Sequence, residues 1–163
     1  MAQHIIRDSA GNYHIKGATE RDILDLAAKI LQAKKLTDRD IFSNPKDVKR
    51  FLQTALGTRE HEVFAALFLD NKHRLIEYEV LFTGTIDQAA IHPREVVKRA
   101  LQLNAAALIV SHNHPSGDTN PSDSDLRITN RLKDALNLVD MRLLDHIIVS
   151  GERAMSLAER GRL

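Results

Sequence analysis

Residues 111–125 read Ser-His-Asn-His-Pro-Ser-Gly-Asp-Thr-Asn-Pro-Ser-Asp-Ser-Asp and hold the densest chemistry in the chain. His112 and His114 stand one residue apart, directly after the apolar run from Ala105 to Val110. On a strand, alternate side chains share a face, so both imidazoles point the same way with Cα atoms about 6–7 Å apart. A loop broken by Pro and Gly then leads to Asp125. Two imidazoles and a returning carboxylate form a three-ligand set for a divalent metal. Catalytic zinc sites typically use three protein ligands and leave a fourth position open. The pattern marks the chain as an enzyme candidate with His112, His114 and Asp125 as metal ligands. On local grounds Asp118 and Asp123 are rival carboxylates. Asp125 and Ser122 also suit the ordinary roles of a first-turn acid and a helix N-cap.

Water activated at such a centre needs a base beside it that does not take its place. Glu60, Glu62, Glu77 and Glu79 all qualify by spacing. His61-Glu62 could open the helical zinc-protease signature, but the second histidine that motif needs is replaced by Ala65. The segment also reads as a strand, which excludes the motif. His146, set among Leu143, Leu144, Ile147 and Ile148, reads as a satisfied buried histidine rather than a fourth ligand. His73 and His92 read as surface or turn residues. The pairs Arg94/Lys98 and Arg127/Arg131, each one helical turn apart, read as solvated faces.

The elements that must position these groups follow from periodicity. His4–Arg7 and Asn12–Lys16 flank a polar, Gly-containing break and predict a hairpin. Thr19 caps a helix running to about Lys35, with Ile23, Leu24, Ala27, Ile30 and Leu31 at helical spacing. Asn44-Pro45 opens a second helix that ends at Gly57. Val63–Leu69 and His73–Phe82 predict strands joined by a turn at Asp70-Asn71. Pro93 starts a helix over Arg94–Leu103. Ala105–Ser111 is the strand that delivers the histidines, Ser122 opens a helix to about Leu138, and Val139–Ser150 is a long strand. A short helix from Ser156 closes the chain. Strands interleaved with helices predict an α/β or α+β sandwich. Residues 1–44 form an N-terminal extension, and 45–163 form the domain carrying the site.

Composition sets bounds on the chemistry. The 163 residues suit one domain with a sizeable core, 43% being hydrophobic and 28% charged. With no cysteine, disulfides, thiolate catalysis and Cys-ligated metals are excluded. The ligand set is nitrogen and oxygen, which suits zinc and also accommodates manganese, iron, nickel or cobalt. The 23 basic and 22 acidic residues leave a net charge of +1, so charge does not support a DNA partner. No apolar run approaches the roughly 20 residues of a membrane span, and the N-terminus lacks a signal-peptide pattern. A cytoplasmic location without a membrane partner is therefore expected.

His112-x-His114, seven residues, Ser122, two residues and Asp125 together resemble in full the signature of the JAMM (JAB/MPN) metalloproteases. Further blocks resemble the RadC family within that group. They are Leu67-Phe68-Leu69-Asp70, Phe82-x-Gly84-Thr85, Pro93-Arg94-Glu95, His112-Asn113-His114-Pro115-Ser116-Gly117, Pro121-Ser122 and Asp145-His146-Ile147-Ile148-Val149. The likeness runs over roughly residues 45–163. It implies a cytidine-deaminase-like α/β fold with a central mixed sheet flanked by helices. It implies zinc ligation by His112, His114 and Asp125. It makes Glu62 the catalytic base, with Glu60 the less favoured alternative, and gives Ser122 a role in stabilising the oxyanion. The implied activity is zinc-dependent hydrolysis of peptide or isopeptide bonds in a peptide or protein substrate.

Two other functions compete. RadC-like proteins carry a DNA-repair label, and a DNA-associated factor of a mobile element, either nuclease or non-catalytic accessory protein, could use the same site. Longer family members have a helix-hairpin-helix region for DNA, whereas residues 1–44 are too short for it and lack its Gly-hairpin pattern. A nucleobase deaminase would share the implied fold, but its usual zinc site needs cysteines that this chain lacks.

Overall fold

The computed structural model describes residues 4–7, 13–17, 19–37, 44–84 and 91–163. Strands β1 (His4–Arg7) and β2 (Tyr13–Lys16) pair antiparallel as the expected hairpin. Helix α1 (Glu20–Thr37) follows, with Asp22 accepting from the Thr19 amide and hydroxyl. Helix α2 (Pro45–Leu56) starts where Asn44 accepts the Asp47 amide, which satisfies one of the free N–H groups of the first turn.

The remaining elements are β3 (Val63–Leu69), β4 (Leu75–Thr83), α3 (Pro93–Gln102), β5 (Ala107–Asn113), α4 (Asp123–Asn137), β6 (Arg142–Ser150) and β7 (Arg153–Ser156). They build a five-stranded sheet of order β4-β3-β5-β6-β7, mixed because β5 and β6 run parallel while the other neighbours run antiparallel. Helix α4 makes the crossover between the two parallel strands, as a parallel pair requires.

Helices cover both faces of the sheet. Val48, Phe51, Leu52 and Leu56 of α2 pack on Ala65, Leu67, Leu69, Ile109 and Ile147. On the opposite face Val96 and Ala100 of α3, with Ile128, Leu132 and Leu136 of α4, pack on Phe64, Ala66, Phe68, Leu108 and Val110. Strand β3 is therefore buried along its whole length and reads as a continuous apolar run rather than an alternating one. The even-numbered residues of β5 face α4, and that parity aims His112 at the helix carrying Asp125.

Two expectations at the C-terminal end need correction. No helix begins at Ser156. Arg153–Ser156 instead turns back through Gly151 and pairs antiparallel with Ile147–Ser150. The long strand starts at Arg142 rather than Val139, because Asp140 takes a left-handed backbone (φ 57°) and turns the chain out of α4. No described helix is long and apolar enough to cross a membrane.

Candidate metal centre

The site lies at the carboxyl ends of the parallel strands β5 and β6, against the N-terminus of α4. His112 is fully buried on β5, and His114 follows one residue past the strand end. Their rings meet at a centroid distance of 4.6 Å, with the two Nε2 atoms 2.9 Å apart. The spacing of one intervening residue thus brings the imidazoles to one point.

Asp125 enters from α4. Its Oδ1 lies 3.3 Å from Nε2 of His112, and its Oδ2 lies 3.5 Å from Nε2 of His114. Oδ2 also accepts hydrogen bonds from the amide and hydroxyl of Ser122, at 2.7 and 2.8 Å. Ser122 Oγ accepts the Asp125 amide in return, closing a reciprocal cap at the start of α4. Ser122 is thus an N-cap whose second task is to hold the carboxylate that faces the histidines. The rivals lie elsewhere: Asp118 turns its carboxylate to Asn120, and Asp123 is exposed on the first turn of α4.

Glu62 comes from the segment just before β3, and its Oε1 is 3.7 Å from Nε2 of His114. One ligand atom each from Glu62, His112 and His114 falls within 4.8 Å of the others, so this His/His/Glu group could bind a metal ion. Glu60 is exposed, and Glu79 pairs with Arg99 of α3 at 2.6 Å.

Charge is tightly organised here. Burial pushes the Asp125 carboxyl up, but the neighbouring imidazoles of His112 and His114 and the Ser122 amide outweigh it and hold Asp125 well below the usual carboxylate range. His114 is raised above an ordinary imidazole, first by Asp125 and against its partial burial, with help from the Asp118 carbonyl and Glu62. Its Nδ1 stands 2.8 Å from that carbonyl, which can only accept, so Nδ1 carries a proton and neutral His114 offers a bare Nε2.

The donor set suits a cation. Asp125 Oδ1 is buried with no hydrogen-bond partner. A buried polar atom left unpaired costs about 1–3 kcal/mol. Here the orphan is an ionised oxygen beside the two imidazole nitrogens, and a cation among them would supply its missing partner.

Three residues with no assigned role complete the surroundings. Asn113, 2% exposed, points to the face opposite His112. It accepts the Val63 amide at 2.8 Å and donates to the carbonyls of Arg59 and His61 at 3.2 and 3.1 Å, which pins the backbone on either side of Glu62. His146 is fully buried, as the sequence reading expected, but it lies beneath His112, with Nε2 2.8 Å from His112 Nδ1. Thr129 stands beyond it on α4. An asparagine between two site histidines and a threonine one turn after Asp125 were the available signals.

The fold and site define an α/β domain of the JAB type with a candidate metal centre at the carboxyl ends of its inner strands β5 and β6. Comparison with known proteins is specific: the family described as RadC-like JAB domain matches residues 42–162, and the chain belongs to that family. It is similar to a protein of Marinobacter nauticus, 47% identical over 177 residues, covering 99% of this chain and 79% of the relative. A Vibrio cholerae protein is 53% identical over 146 residues, covering 90% and 91% of the two chains. One from Leptothrix cholodnii is 49% identical over 162 residues, covering 96% and 72%. All three bear the name UPF0758 protein, which states no activity.

Proposed function

We propose that the protein is a zinc-dependent hydrolase of peptide or isopeptide bonds, with His112, His114 and Asp125 as ligands and Glu62 as the base. The observation that carries this reading is the buried, unpartnered Oδ1 of Asp125 facing His112 Nε2 at 3.3 Å. Asp125 is favoured over Glu62 as the third ligand because it is fully buried and stands 3.3 and 3.5 Å from the two imidazoles, whereas Glu62 stands 3.7 Å from His114 and keeps side-chain exposure of 16%.

Bound here, a divalent cation would supply Lewis acidity, which makes water a nucleophile near neutral pH and polarises a carbonyl. The chain's own residues then divide the work. Glu62 accepts the proton of the attacking water at Oε1 and returns it to the leaving nitrogen as the C–N bond breaks. Ser122 holds Asp125 in the ground state, and its hydroxyl is the nearby donor we assign to the developing oxyanion. Asn113 keeps the Glu62 segment against the end of β5.

Metal analysis of tag-free protein, followed by assay on a broad panel of peptide and isopeptide substrates, tests this reading. One equivalent of zinc is expected, with turnover abolished in Glu62→Gln while the metal stays bound. Zinc-loaded protein that is inert across the panel would overturn it.

A further inference from the structure

We propose that Thr129 and His146 are positioning residues that fix the imidazole of His112 as the tautomer protonated on Nδ1, leaving the lone pair of Nε2 for a metal. This rests on the metal-centre reading above and extends it to two residues outside the ligand set.

The direction of the relay starts at Thr129. Its Oγ1 lies 2.5 Å from the backbone carbonyl of Asp125. At that O···O separation a proton must stand between the oxygens, and the carbonyl has none to give. The single hydroxyl proton of Thr129 is therefore spent there, and Oγ1 faces His146 as an acceptor. His146 Nδ1, 2.6 Å away, must be the donor. His146 is fully buried, and its two ring nitrogens meet a hydroxyl and an imidazole rather than a carboxylate. A charge held there would be uncompensated and costly, so the ring is neutral and its Nε2 is bare. His112 Nδ1, 2.8 Å from that nitrogen, must then carry a proton and donate it. Neutral His112 is left with a bare Nε2 directed at Asp125 and at Nε2 of His114.

The reverse chain would run from Thr129 through His146 to His112 and place a proton on His112 Nε2, which blocks ligation. What excludes it is the commitment of one hydroxyl proton to a helix carbonyl. A β-bulge makes the arrangement geometrically available. Leu108 pairs with Leu143, but Ile109 pairs with Asp145, so β6 carries one extra residue. Without that extra residue, strict alternation from Leu143, which faces α4, would turn His146 towards α2.

The test uses Zn2+ competition against a chromogenic chelator, together with 15N histidine spectra of metal-free protein at alkaline pH. Thr129→Val keeps the shape and removes the acceptor, whereas Thr129→Ser restores it. Expected are a loss of zinc affinity of about tenfold or more in T129V, retention in T129S, and His112 of the wild type protonated on Nδ1 without metal. A smaller loss in T129V, an equal loss in T129S, or a wild-type His112 protonated on Nε2 overturns the relay. Should T129V not fold, the wild-type spectrum decides by itself. Failure of the wild type to bind zinc would sink the metal-centre reading, while the His112 tautomer would still judge the relay separately.

Discussion

Asn113 Oδ1 accepts the Val63 amide at 2.8 Å, so the residue between the two site histidines anchors the start of the strand behind Glu62. Strand alternation produces this: His112 faces α4, and its neighbour faces the other way. With its Nδ2 donating to the carbonyls of Arg59 and His61, Asn113 clamps the backbone on either side of Glu62. Glu62 and the two histidines are thus tied through one buried amide.

Replacing Asn113 by Ala should therefore separate two properties. Three hydrogen bonds are lost, one buried and two part-buried, at a cost of about 2–3 kcal/mol in denaturant unfolding. Turnover should fall more than zinc affinity, because Glu62 loses its support while the ligands keep theirs. An N113A protein that loses zinc and activity in equal proportion would contradict this division.

Asp125→Asn keeps the shape of the side chain and removes its charge. Zinc affinity should fall at least 100-fold, with the fold retained, since a neutral amide is a far poorer ligand than the carboxylate. Isothermal titration with Zn2+ would measure it. Near-wild-type affinity in D125N would shift the third ligand to Glu62.

The pH response of the metal-free protein follows from His114 and Asp125. His114 is raised above its ordinary 6.5, so its contribution to stability is full below that value and is lost as pH rises through the higher folded value. Asp125 is lowered from 3.8, so its contribution is full above that value and is lost as pH falls through the folded value. Tm without metal should peak between these limits. Zinc reverses the alkaline side, because His114 must be deprotonated to bind, and the Tm gain from zinc should grow from about pH 5 to pH 8. A zinc-dependent gain that shrinks over that interval would count against His114 as a ligand.

Asp145 supports the strand rather than the chemistry. It accepts from the His146 and Ala158 amides and from the Ser156 hydroxyl, joining β6 to the chain after β7. Burial pushes its pKa up against those bonds. Asp145→Ala should cost about 2–3 kcal/mol in stability at neutral pH, read from chemical unfolding.

The sequence alone determined the alternation that aims His112, the loop that returns the chain, and the cap that starts α4 at Ser122. Those are local consequences of backbone geometry, and Val63–Leu69, Pro45–Leu56 and Asp123–Asn137 lie close to where periodicity put them. The helix expected from Ser156 gives way to turns over residues 157–161, because the Leu157 amide donates to the His146 carbonyl of β6 and extends the pairing begun by Arg153–Ser156. Choosing Asp125 over Asp118 and Asp123, and bringing Glu62 to His114, needed contacts between elements far apart in the chain. The relay beneath His112 was hidden for a sharper reason: one extra residue in β6 breaks the two-residue period, so the face that His146 occupies is fixed by pairing with β5 and not by its place in the sequence.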